Sequence, residues 1–285
     1  MNNRYDSIVN SEIQRLVNLG WSDASRNESG IHISKEIKET EISFPSESYE
    51  VNAENKEYSG VWASWRVKQI AEEMSKLGQK IIWEIGSGHG NVAIPLKMQN
   101  VCVIGIEPLM SGAEITAKRK IRTYVGTLEA MKFPPNSISV IGIFDVLEHL
   151  ENPQLLLSEI YRVLVPGGIL MVLVPAHQWL FSDFDLSIGH YRRYSKKALL
   201  KSLNQEGFQT IKVRYLFSLF VIPALLLRKI PYLLGRNRHT KETLNSLDRQ
   251  RRTLKALRQF VEIILSAEKI LHLPFGLSLF SVSRK

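Results

Sequence analysis

Cysteine is nearly absent from this chain: Cys102 is the one example in 285 residues. A lone cysteine cannot close a disulfide within the chain, so a cross-linked framework is excluded and a reducing compartment fits. Cys102 falls inside an apolar run and reads as a small buried hydrophobe. The opening residues, Met1 to Asp6, contain no apolar signal region, which predicts against secretion and for a cytoplasmic location. Internal repeats and low-complexity tracts are also missing. The apolar run Tyr215 to Leu227 is broken by Pro223 and falls short of the roughly 20 residues a membrane-crossing helix needs.

What remains is a chain of ordinary globular composition, 44% hydrophobic, long enough for one sizeable domain with additions. Its net charge is +9, unevenly placed. Residues 1–57 hold 6 basic and 11 acidic side chains, whereas residues 228–258 hold 10 basic and 2 acidic. The basic stretch suits phospholipid headgroups, a phosphate-bearing substrate or nucleic acid. A solvated helical face accounts for it equally well.

The chemistry begins at Glu84-Ile85-Gly86-Ser87-Gly88-His89-Gly90. An apolar segment, Lys80 to Trp83, precedes it as a buried strand, and Asn91 to Lys97 follows as the start of a helix. Strand, glycine turn and helix bring backbone N–H groups close to a bound nucleotide or carboxylate. A dinucleotide turn reads G-x-G-x-x-G. Here the third glycine arrives one residue early and Asn91 occupies the dinucleotide position. A second apolar run, Val101 to Ile106, ends in Glu107, about 20 residues beyond the glycines, where an acid can accept ribose hydroxyls.

Further strands are predicted at Ile121 to Val125, Ile138 to Phe144, Ile169 to Val174, Phe208 to Tyr215 and Leu277 to Val282. Helices are predicted at Tyr5 to Leu19, Tyr58 to Leu77, Pro153 to Leu164 and Lys196 to Glu206. Pro166-Gly167-Gly168 stops the third of these, and Ser195 caps the fourth. The alternation argues for βαβ units and a parallel sheet covered on both faces.

With the glycine turn, Glu107, "GTLEAMKFPPNSIS" and "FDVLEHLENPQLLLSEIYRVLVPGGIL", the order of signals from about Trp62 to Tyr215 resembles the class I S-adenosylmethionine-dependent methyltransferases. That resemblance implies an α/β, Rossmann-like seven-stranded sheet, mostly parallel, with an antiparallel last strand and helices on both faces. It also implies a division into a polar N-terminal extension (1–57), an S-adenosylmethionine-binding core (58–215), a helical insertion or cap (216–274) and a final core strand (275–285). The cofactor would lie on Glu84, Gly86, Ser87, Gly88, Gly90, Glu107, Pro108, Thr127, Leu128 and Asp145. Many members carry an aspartate where this chain has Thr127. Trp62, Trp65 and Arg66 stand on the helix that lies over the cofactor in the family.

Asp145-x-x-Glu148-His149 combines two carboxylates and an imidazole, suitable ligands for a divalent cation. It is similar to an acidic-x-x-Glu-His motif of ubiquinone-pathway O-methyltransferases and small-RNA 2′-O-methyltransferases, in which Mg2+ can hold substrate oxygens. The resemblance implies Asp145, Glu148 and His149 as metal ligands, with His190 completing the set. Loop capping without metal is the competing reading. The loop Gly189-His190-Tyr191-Arg192-Arg193-Tyr194 resembles that of bacterial methyltransferases carrying "GHxRRY", a resemblance that extends to the terminal "LPFGLSLF". Asp145, His149 and His190 are the candidate catalytic groups, His190 as base, with Asp183 and Asp185 available to orient it. Arg192, Arg193, Tyr194 and Trp179 are the candidate acceptor contacts, the arginines for phosphate or carboxylate.

The expected function is methyl transfer to a hydroxyl on a small or lipid-linked acceptor. Residues 215–234 are expected to touch a membrane surface, placing the protein at the inner face. RNA methylation is the alternative, without a recognised RNA-binding module, and a non-catalytic binding scaffold is a third.

Overall fold

The computed structural model describes residues 2–22, 25–26, 31–33, 61–233, 263, 265, 266, 268, 271 and 273–285. Among these, nine strands form one sheet: β1 (Ser25–Arg26), β2 (His32–Ile33), β3 (Ile81–Ile85), β4 (Cys102–Glu107), β5 (Arg122–Val125), β6 (Ile138–Phe144), β7 (Leu164–Pro175), β8 (Gln209–Leu216) and β9 (Ser278–Arg284). Their spatial order is β1-β2-β5-β4-β3-β6-β7-β9-β8. The seven strands expected from sequence make up its body, from β5 to β8. β9 runs antiparallel between β7 and β8.

The two-residue strands β1 and β2 extend the sheet beyond the expected seven, β2 pairing parallel with β5. They come from the N-terminal extension, expected to be irregular after its first helix. Their signal is too short for any period to register. The rest of that extension, from 34 to 60, lies outside the described residues.

The apolar runs form strands because both faces of the sheet are covered. In β7 every residue from Ile169 to Pro175 is buried, the continuous pattern of a central parallel strand. Leu170, Val172 and Val174 join a core with Val9, Ile13 and Leu16 of the helix Asn2–Asn18 and Leu157 and Ile160 of the helix Pro153–Val163. Met171 and Leu173 face the other side, with Val67, Ile70 and Met74 of the helix Val61–Lys76. Tyr5 ties the first helix to the sheet by donating from Oη to the Val103 carbonyl at 2.7 Å.

Pro166-Gly167-Gly168 ends the preceding helix at Val163, as the sequence suggests, but the chain enters β7 at once. The pairing with β6 jumps from Ile138↔Leu164 to Val140↔Ile169, so the proline–glycine segment bulges out of the ladder. After β8, residues Ser218 to Leu233 form one helical run with a π turn at Leu225–Lys229. Leu265 then returns to the core, fully buried. This part of the insertion is helical, as expected; residues 234–262 lie outside the described residues.

Strands β3 and β6 are neighbours and parallel, while the chain leaves them toward opposite ends of the sheet. Open α/β sheets bind ligands at such a switch point, beyond the carboxyl ends of the strands. Gly86 and Asp145 are the first residues past those two ends.

Candidate functional site

The glycine turn leaves β3 with φ of +71° at Gly86, +50° at Gly88 and +79° at Gly90, a region that favours glycine. A Cβ on Gly86 would stand 2.8 Å from Val146 Cγ2, so the loop after β6 packs against bare backbone. Gly86 and Ser87 donate from their N–H groups to the Ile106 carbonyl at 2.8 and 3.2 Å. That anchors the turn to β4. Glu107, at the end of β4, then reaches over it. Its Oε2 accepts from the Gly88 N–H at 2.6 Å and its Oε1 from the Leu109 N–H at 3.0 Å. A carboxylate oxygen can accept more than one hydrogen bond, which suits this group to ligand hydroxyls. Pro108 follows, half-buried.

Glu84 heads the turn and is buried, with Oε2 outside any hydrogen bond. Burial pushes its carboxyl well above the usual range, the Glu107 charge adds to this, and Arg66 opposes it. Ser87 is buried and also keeps an unbonded Oγ. Thr127 turns its hydroxyl inward along the chain, accepting from the Ala130 N–H at 3.3 Å. Leu128 is fully buried in the core, which leaves its backbone as the part able to line a ligand.

Asp145 adopts φ +56° immediately after β6. Its N–H is held by the Leu173 carbonyl at 2.8 Å, and its carboxylate pairs with Arg66 from the helix Val61–Lys76. Arg66 thus sets a cation against Asp145 and, more distantly, Glu84. Trp65 beside it is buried in the core.

The Glu148–His149 pair sits on a single turn, Leu147–His149. Glu148 is fully buried and neither carboxylate oxygen has a hydrogen bond. Burial, then the Asp145 charge, holds its pKa well above the usual range, against Arg193 and Arg66. His149 Nδ1 lies 3.2 Å from the Gly189 carbonyl, the geometry of an Nδ1–H donor. Burial and the neighbouring His190 push its pKa down to about 4, so the ring is neutral at pH 7.

His190 donates from Nδ1 to Asp185 Oδ1 at 2.9 Å, and its Nε2 lies 3.8 Å from Glu148 Oε1. Its ring meets that of His149 edge-on at 4.6 Å. Asp185 belongs to a capping box with Ser182, whose N–H it accepts at 3.0 Å. Burial acts to raise the Asp185 pKa, yet the His190 hydrogen bond and the Arg193 charge outweigh it and leave the pKa below the ordinary value. Of the two aspartates noted in the sequence, Asp185 orients the imidazole. Asp183 accepts from the N–H of Phe184.

The candidate acceptor contacts separate. Arg193 is drawn inward, donating to Asp185 Oδ1 at 2.7 Å and to the Ala176 carbonyl at 3.4 Å. Arg192 donates to the Glu151 carbonyl at 2.8 Å. Tyr194 is buried, with its hydroxyl donating to the Leu147 carbonyl at 3.2 Å. These three hold the loop in place, Arg193 at the end of β7 and Arg192 and Tyr194 against the segment that follows β6. Trp179 alone of the four presents half its surface to solvent.

One residue at this edge escaped the sequence reading. His177 follows β7 with φ +64° and ψ +102°, an uncommon conformation for a side-chain-bearing residue. Its ring stacks on Tyr215 at 5.0 Å and tilts against Trp179 at 5.3 Å. Its Nε2 is shielded and outside any hydrogen bond. Burial and Arg193 lower its pKa. No spacing rule marks it; its signal is the backbone angle.

Residues 83–172 match the family described as "Methyltransferase domain". A probable S-adenosylmethionine-dependent methyltransferase of Mycolicibacterium smegmatis is 34% identical over 87 residues, 30% of this chain and 34% of its own length. Over residues 83–172 the chain is thus similar to methyltransferase domains. An uncharacterized protein of Methanocaldococcus jannaschii is 29% identical over 136 residues, 45% of this chain and 64% of its own. The chain therefore spans less than two thirds of these relatives. Phosphoethanolamine N-methyltransferase 2 of Haemonchus contortus, solved with S-adenosyl-L-methionine, superposes with a TM-score of 0.51 at 15% identity, over 80% of this chain and 57% of that one. It shares the fold.

The methyltransferase domain fits its methyl donor. The turn offers Cβ-free backbone, and the Glu107 carboxylate stands over it. Mg²⁺ fits less well. Among the described residues the group able to converge on one ion is Glu148, His149 and His190, whose ligand atoms lie within 4.8 Å of one another. Mg²⁺ demands oxygen ligands, whereas imidazoles suit softer ions. Asp145, the oxygen donor expected there, is paired with Arg66.

Proposed function

We propose that this chain transfers a methyl group from S-adenosylmethionine to a hydroxyl of a small or lipid-linked acceptor. The observation that carries the reading is the Gly86–Gly90 turn with the Glu107 carboxylate across it, at the switch point between β3 and β6. When bound, the donor supplies an electrophilic methyl on a sulfonium sulfur. Glu84, Gly86, Ser87, Gly88, Gly90, Glu107, Pro108, Thr127, Leu128 and Asp145 form the cofactor side. Glu107 would accept from the ribose hydroxyls, and Asp145, together with its partner Arg66, would line the methionine end of the donor.

On the acceptor side, His190 is the base. With Nδ1–H committed to Asp185, its Nε2 carries the lone pair that takes the hydroxyl proton, and Asp185 stabilises the imidazolium that results. His149, neutral at pH 7, packs against that ring and adds no competing charge. Arg192, Arg193 and Tyr194 act by fixing the loop, and Trp179 offers an apolar wall.

Titration calorimetry with S-adenosylhomocysteine tests the donor half; absence of binding removes the enzyme reading and favours a scaffold. Incubation with labelled donor and a cell extract, followed by identification of the labelled product, tests the acceptor half. RNA methylation is the second reading, favoured by the +8 balance of residues 228–258. Label recovered in RNA, with binding that weakens steeply with salt, would select it.

A further inference from the structure

The helical run Ser218 to Leu233 leaves β8 at the same end of the sheet as the candidate site. Its apolar residues divide. Val221 is buried, while Leu219, Ile222, Leu226, Ile230 and Leu233 are between 38% and 67% exposed. Their spacing is three or four residues, the repeat that puts side chains on one stripe of a helix. Scattered exposed leucines need no explanation, but a continuous stripe does.

The run spans 16 residues, about 24 Å at 1.5 Å per residue. Among the described residues no helix is long and apolar enough to cross a membrane. An exposed apolar stripe of this length suits a helix that lies in the plane of a membrane surface. The adjoining charge has the matching sign. Arg228 and Lys229 fall within the run, and residues 228–258 carry 10 basic against 2 acidic side chains.

The run is also wired to the acceptor loop. Lys229 Nζ donates to the Phe181 carbonyl at 2.8 Å, within the segment that carries Trp179 and His190. At its root, Tyr215 stacks on His177, and Ser218 donates from its N–H and hydroxyl to Glu268 at 3.2 Å. A surface bound to the stripe therefore lies beside the acceptor edge.

We propose that Leu219, Ile222, Leu226, Ile230 and Leu233 form a docking stripe for an anionic phospholipid bilayer, which presents the acceptor to the site from the membrane plane. This rests on the methyltransferase reading for the acceptor and on the stripe itself for the docking.

The test uses the full chain with phosphatidylglycerol-containing vesicles and with pure phosphatidylcholine vesicles, read by co-sedimentation. The expected result is binding to the anionic vesicles, weakened about tenfold or more in the I222E/L226E variant. S-adenosylhomocysteine binding, measured by calorimetry on both proteins, should be unchanged. A milder I222Q/L226Q variant serves if the glutamates disturb folding. Equal binding by wild type and variants would overturn the stripe and leave the basic stretch as the cause. Lack of binding by the wild type would also overturn it, as would a solution dimer that the substitutions dissolve. Loss of S-adenosylhomocysteine binding by the wild type would instead refute the methyltransferase reading and leave the vesicle result standing.

Discussion

Glu107→Gln separates donor recognition from folding. The carboxylate receives two backbone N–H groups, from Gly88 at 2.6 Å and Leu109 at 3.0 Å. A glutamine side chain offers one oxygen, so one N–H faces an NH₂ group and loses its partner. A hydrogen bond to a charged acceptor contributes about 1.5–3 kcal/mol, and the variant should lose about 2 kcal/mol of stability. In a chain of this size that lowers Tm by roughly 4–8 °C. The donor loses more. Under the proposed reading, two ribose hydroxyls on one carboxylate would make two charge-assisted bonds, of which glutamine replaces at best one well. A loss of about 2.7 kcal/mol corresponds to about 100-fold in affinity. Calorimetry with S-adenosylhomocysteine and a melting curve on the same sample measure both effects. An affinity within about threefold of wild type, on a folded variant, would refute the role given to Glu107.

Gly86→Ala should destabilise by about 2–4 kcal/mol, combining the left-handed backbone cost with overpacking against Val146 Cγ2; a melting temperature equal to wild type would refute this packing. Glu148→Gln should stabilise the fold at neutral pH. Burial raises the folded pKa of Glu148 above its unfolded value, so the native state loses stability as pH rises through the unfolded value of about 4.3 and upward. The melting-temperature gain of the variant should therefore shrink as pH falls toward about 4; a gain independent of pH would count against a Glu148 carboxyl whose pKa burial raises. Added Mg²⁺ should leave the melting temperature unchanged, because the converging donors are two imidazoles and one carboxylate; a clear upward shift would overturn that reading.

The strand pattern was legible because a parallel sheet buried on both faces demands continuous apolar runs, as β7 shows from Ile169 onward. The glycine turn was legible because the left-handed backbone that packs against Val146 favours glycine. Two details resisted. β1 and β2 are two residues each and owe their pairing to β5, not to any local period. The bulge at Pro166–Gly168 is set by the β6 register, which lies outside the segment itself.

The acceptor loop shows the limit more sharply. Its motif placed a histidine, two arginines and a tyrosine together, and residue type alone suggested a phosphate grip. In the folded chain Arg193 is taken up by Asp185 and the Ala176 carbonyl, Arg192 by the Glu151 carbonyl, and Tyr194 by the core. His177 entered through a backbone angle and a ring stack on Tyr215, which no motif encodes.

By itself the sequence determined the sheet, the glycine turn and the acid beyond it, since each depends on spacing within a few residues and on chain-wide apolar patterning. Only the tertiary structure decided how the charged groups are paired. Arg66 meets Asp145 across 79 residues, Asp185 gathers His190 and Arg193, and Glu148 is left buried without a hydrogen bond. Those pairings follow from which elements the sheet brings to one edge, and a charge in a sequence carries no record of the partner it will find there.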